Sequence, residues 1–130
     1  MSEDNLLEQL LQLERAAMKR WAVGDPGAFL ELSSPDVSYF DPFVPARVNG
    51  IEELRALYEG LRGQVHLDTF DFLNPRVQAA GDMAVLTFQF VSTGPGGPNR
   101  WNTTEVYRRS HGRWNIVHSH WSFSQPKLAQ

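Results

Sequence analysis

Cysteine is absent from the 130-residue chain. That removes disulfides, thiolate nucleophiles and thiolate-bound zinc from consideration and fits a reducing compartment, so a cytoplasmic location is expected. Basic residues are in the minority, 12 against 15 acidic ones, for a net charge of −3. A chain without a positive excess has no field to gather a polyanion, and nucleic acid is not expected as a partner. The amino end, MSEDNLLEQLLQLER, opens on acidic residues and carries charges through its apolar stretch. It is neither a signal peptide nor a membrane span, so it reads as part of the fold, with no membrane association expected. Repeats, linkers and low-complexity stretches are lacking too, which fits one domain over residues 1–130.

What the sequence has in quantity is aromatic residues: Trp 4, Tyr 3 and Phe 8. Rings in this number must fill a core or surround a cavity. Leu6, Leu10, Leu13, Ala17 and Trp21 recur at steps of three and four, flanked by Leu7, Leu11 and Met18, and predict a helix with a wide apolar face. Gly24 ends it, and Asp25-Pro26 supplies an N-cap and a first helical position for a short second helix through Phe29, Leu30 and Leu32, stopped by Ser33, Ser34 and Pro35. A β-like segment, Val37 to Asp41, leads to a third helix after Gly50, with Ile51, Leu54, Leu57, Tyr58 and Leu61 on one face.

The period then changes to two. Ala84, Leu86, Phe88 and Phe90 alternate with Val85, Thr87 and Gln89 after a Gly81-Asp82 turn, giving a strand with an aromatic inner face. Residues 99–109 and 113–124 form the arms of a hairpin closed near His111-Gly112, while Pro75 marks a bend, a bulge or an edge. The intervening Gly94-Pro95-Gly96-Gly97-Pro98 has no P-loop lysine, so nucleotide binding has no support. Helices followed by long strands predict an α+β fold, three helices packed on a curved antiparallel sheet whose concave side leaves a pocket.

The ordered set Gly24-Asp25, Phe40-Asp41-Pro42, Gly50, Gly81-Asp82-Met83-Ala84 and the ending Gly112-Arg113-Trp114 through Trp121-Ser122 resembles the nuclear transport factor 2-like superfamily of SnoaL-like or cystatin-like domains, over nearly the whole chain. The resemblance implies a cone-shaped fold. Two branches are similar. The association domain of calcium/calmodulin-dependent kinase II has a similar Asn74-Pro75 segment and a similar pair of histidines near the end, and the resemblance implies an oligomeric hub. Its pocket arginines correspond here to Phe90, Glu105 and Trp121, so carboxylate binding is not implied. Ketosteroid isomerases have a catalytic aspartate in a pattern similar to Asp41-Pro42-Phe43 and a second acid on or next to Glu105. The position of their oxyanion-hole tyrosine falls near Ala17 or Met18, where this helix has no hydroxyl.

Asp41 at the mouth of an aromatic pocket is a usable proton shuttle, and equally an ordinary turn residue accepting nearby backbone N–H groups. Glu105, on a strand face with Trp101, Thr103 and Tyr107, is either a buried acid donating to a developing oxyanion, by analogy with the isomerases, or an exposed residue paired with Arg108 or Arg109. Tyr58, Phe88, Phe90, Trp101, Tyr107 and Trp121 are the expected ligand walls. His118 and His120 share a face, but no third ligand is evident, so no metal or cofactor is expected. If Trp121 faces the pocket, both histidines lie on the outer face, and a homodimer through that face with Trp114, His118 or His120 in its interface is expected. The functional expectation is a pocket protein acting on an apolar cyclic molecule by acid–base chemistry, as an isomerase, cyclase or lyase. The alternative is a non-catalytic oligomerisation or binding module like the kinase association domain.

Overall fold

The computed structural model describes residues 3–124. Helix α1, Glu3–Trp21, buries the stripe expected of its spacing, with Leu6, Leu10, Leu11, Ala17 and Met18 inward, and it also buries Glu14. Acidic Glu3 and Asp4 in its first turn and Lys19 and Arg20 in its last complement the helix dipole. The chain then turns at Gly24, φ 90°, where a side chain would bring a Cβ to 2.9 Å from the Gly63 Cα. Only glycine permits both the backbone angle and the approach. The Gly63 N–H donates to the Gly24 carbonyl at 2.9 Å, tying the end of α1 to the segment after the third helix.

Helix α2, Gly27–Leu32, starts one residue later than its Pro suggests, with Asp25 Oδ1 accepting the Gly27 N–H at 2.8 Å. Ser33, Ser34 and Pro35, read as a stop, are the first residues of strand β1, Ser33–Phe40. A two-residue strand β2, Val48–Asn49, precedes helix α3, Gly50–Glu59. Strands β3 (Thr69–Ala80), β4 (Met83–Thr93), β5 (Asn99–Ser110) and β6 (Arg113–Phe123) follow as successive antiparallel neighbours.

The sheet order is β2-β1-β6-β5-β4-β3. The sheet is antiparallel as expected except that β1 runs parallel to β6. No hairpin links these two strands; most of the chain lies between them, so nothing local fixes their relative direction. Irregularities bend the sheet. On edge strand β3 the register shifts between Leu73 and Arg76, with Asn74 at φ 52°, so Pro75 sits at both a bulge and an edge. On β6, Tyr107 pairs with Ile116 but Val106 pairs with His118, leaving Val117 as the extra residue.

That second bulge reverses which face each residue takes. Trp114 and Ile116 point inward before it, and Ser119 and the cavity-facing Trp121 point inward after it. His118 and His120 therefore face outward as expected, but Trp114 is 7% exposed in the core and does not share their face. Among the described residues no helix is long and apolar enough to cross a membrane.

Candidate functional site

The concave face of the sheet and the three helices enclose a cavity of about 280 Å³. Its walls are aromatic because the inward positions of several elements converge. Trp21 from α1 meets Tyr58 from α3 with ring centroids 5.0 Å apart, and Tyr58 meets Tyr39 from β1 edge-on at 5.5 Å. Opposite them, Trp121 contacts Phe90 at 5.5 Å and Trp101 at 5.9 Å, both edge-on. At the mouth Phe43 is 73% exposed and lies 5.7 Å from Phe123, which is packed 4.3 Å from Trp101.

Two charged side chains line the cavity, Asp41 and Glu105, and among the described residues no Lys, Arg or His does. Asp41 follows the last residue of β1, and its alternation with Tyr39 puts both on the cavity side. Its Oδ2 accepts the Tyr39 hydroxyl at 2.7 Å; its Oδ1 accepts the N–H groups of Phe43 at 2.7 Å and Val44 at 3.1 Å. It is therefore a turn cap that also lines the cavity. Burial pushes the Tyr39 and Tyr58 phenols well above their ordinary range, so both stay protonated near neutral pH.

Glu105 is 1% exposed, on the inner face of β5 opposite Ser119 of β6, and it is not paired with Arg108 or Arg109. Those arginines bind Asp36 and Asp82 on the surface. Behind Glu105 lies Glu14 of α1, 0% exposed, accepting the hydroxyl of Tyr107 through Oε2 and near enough for its charge to act on Glu105. Desolvation drives both carboxyls upward, Glu14 to about 7 and Glu105 well above its ordinary value, where the neighbouring Glu14 charge adds to burial.

Of the residues expected at the site, Asp41, Tyr58, Phe90, Trp101, Glu105 and Trp121 line the cavity; Phe88 and Tyr107 do not. Both of these do face inward, but further along the strands, where the space is filled. Phe88 packs 4.9 Å from Phe72, and Tyr107 is sealed against Glu14. Sequence reasoning missed Glu14, although its position three and four residues from Leu10, Leu11, Ala17 and Met18 marks a carboxylate inside an apolar stripe. It also missed Tyr39, whose spacing of two from Asp41 was a usable signal.

Residues 11–126 match the family model of the SnoaL-like domain. The chain belongs to that family. No curated protein matches it. Among solved structures, this SnoaL-like domain is similar to a ketosteroid isomerase candidate from Parabacteroides distasonis, with 42% identity over 92% of this chain and 89% of the other, TM-score 0.82. An NTF2-like protein of unknown function from Pseudomonas putida shares 24% identity over 94% and 88%, TM-score 0.81. The association domain of calcium/calmodulin-dependent kinase II from C. elegans shares 21% identity over 92% and 97%, TM-score 0.75. The last two likenesses concern the fold. Phe90, Glu105 and Trp121 all face this cavity. Among the described residues no group of three or more His, Asp or Glu is placed to hold a metal.

Proposed function

We propose that this domain binds a mostly apolar, cyclic small molecule in the cavity and converts it by general acid–base chemistry, as an isomerase, cyclase or lyase. The observation that carries this reading is an aromatic cavity whose charged lining consists of Asp41 and Glu105, with no cation among its described residues. Aromatic walls reward a flat apolar body, and a carboxylate ligand would lack the charge-assisted bonds that offset its burial. Asp41 is the proton shuttle, its carboxyl held in place by three donors shared between its two oxygens, and Glu105 stabilises developing charge. Tyr58, Phe90, Trp101 and Trp121 are the walls. The 42% identity to a ketosteroid isomerase candidate supports the same reaction class.

The test is a thermal-shift screen. Steroid-like, aromatic polyketide-like and terpenoid compounds should raise the melting temperature, Trp121→Ala should abolish the shift, and small dicarboxylates should leave it unchanged. Stabilisation by dicarboxylates alone, or by nothing, would overturn the reading and favour a non-catalytic module.

A second reading concerns assembly. On the outer face, Phe40 of β1 lies 5.8 Å from the His118 ring and 5.2 Å from that of His120, an aromatic cluster with His120 exposed. We infer a homodimer through this face. Sedimentation equilibrium showing only monomer at micromolar concentration would refute it.

A further inference from the structure

Two carboxyl groups buried together need an explanation beyond packing. Glu14 and Glu105 are 0% and 1% exposed, and the salt bridges of the described residues all lie elsewhere, on solvent-accessible side chains. Two adjacent carboxylates, both ionised and unpaired in a dry interior, would be strongly destabilising. Each also has one buried oxygen that no ordinary donor reaches, Oε1 of Glu14 and Oε2 of Glu105. A single proton held between the two carboxyls removes both problems, because it converts one acceptor into a donor and halves the buried charge.

The surroundings decide where that proton rests. Tyr107 of β5 donates its hydroxyl to Glu14 Oε2, which marks Glu14 as the acceptor end. Glu105 stands opposite Ser119 of β6, whose Oγ accepts the Trp121 Nε1–H at 3.0 Å. Tyr58 of α3 is the other titratable group near the pair, with Tyr39 and Asp41 beyond it, and none supplies a positive charge. The proton therefore sits on Glu105, which lines the cavity, and points toward Glu14, which does not.

We propose that Glu14 is a positioning residue for Glu105: the two share one proton behind the cavity wall, and the ionisation of Glu14 sets how strongly Glu105 donates to an oxygen-bearing ligand. When Glu14 is ionised it draws the Glu105 hydroxyl inward. When Glu14 takes a second proton it donates to Glu105 itself, and the Glu105 hydroxyl is released to the cavity. The ligand class follows: an apolar ring system presenting a carbonyl or ether oxygen at the Glu105 wall, bound more tightly on the acid side of the Glu14 midpoint, which is about 7. This ligand preference rests on the small-molecule reading above; the proton-sharing pair does not.

The experiment has two arms. Infrared difference spectra of the ligand-free protein, titrated from about pH 5 to about pH 9, follow the carbonyl stretch of protonated carboxyl groups. One band, from the shared proton, should remain once Glu14 has ionised and vanish in Glu105→Gln. A second should fade with a midpoint near 7 and be missing in Glu14→Gln. Absence of any protonated-carboxyl band above about pH 6 overturns the pair whether or not a ligand binds. In the other arm, fluorenone and its hydrocarbon counterpart fluorene are titrated across the same range. Fluorenone affinity should fall about tenfold, roughly one hydrogen bond, as pH climbs through the Glu14 midpoint, and should be flat in Glu14→Gln. Fluorene should be flat in both proteins. Fluorenone binding that is equally flat in the wild-type protein overturns the positioning role. If neither compound binds, the small-molecule reading falls and the infrared arm alone decides the pair.

Discussion

Replacing Glu14 with Gln removes one proton-binding group from the interior while nearly preserving its shape. The amide oxygen still accepts from Tyr107, and the NH₂ group turns to Glu105 as a donor. In the wild-type protein, burial raises the Glu14 midpoint from 4.5 to about 7. Between those values the folded protein holds a proton that the unfolded chain has released. The stabilisation is therefore fully present below the unfolded value and is lost as pH rises through the folded one. At about 1.4 kcal/mol per pH unit the difference is about 3 kcal/mol, a large part of the 5–15 kcal/mol typical of a domain. Urea unfolding at about pH 4.5 and about pH 8 should show the wild-type protein losing roughly that much more stability than Glu14→Gln over the interval. Glu105, which burial also pushes well above its ordinary range, contributes a slope in both proteins. The double variant Glu14→Gln/Glu105→Gln should flatten the remainder. Parallel profiles for the wild-type protein and Glu14→Gln would refute the raised midpoint, and with it the reasoning from burial.

Asp41→Asn should lower the urea midpoint by the equivalent of about 1 kcal/mol, because one of the two oxygens that accept Tyr39, Phe43 and Val44 becomes a donor. The same variant should abolish turnover of any substrate found, and unchanged stability would mean that the turn cap is dispensable. Gly24→Ala should destabilise by more than about 1 kcal/mol, since φ is 90° and the new Cβ would meet the Gly63 backbone at 2.9 Å. A melting temperature within error of the wild type would show that the α1 and α3 ends can part without penalty.

The sequence by itself determined what local chemistry controls. Apolar spacing of three and four specified α1 and α3, alternation from Ala84 to Phe90 specified β4 and its inward face, and Pro75 marked a bend, a bulge or an edge. Asp41 and Trp121 were singled out by the family resemblance, while strand alternation put Phe90 with Phe88, and Trp101 with Glu105 and Tyr107, on shared faces. Tertiary structure decided what parity cannot. The extra residue at Val117 turned Trp114 inward while leaving His118 and His120 outside, since one inserted residue exchanges the faces of everything beyond it. Depth along the strand separated Phe90 and Trp101, at the open end, from Phe88 and Tyr107, which face the same way but meet a filled interior. The parallel pairing of β1 with β6 and the meeting of Glu14 with Glu105 join positions far apart in the chain. No short-range pattern encodes them, because they exist only once the helices close over the sheet and withdraw water from both carboxyls.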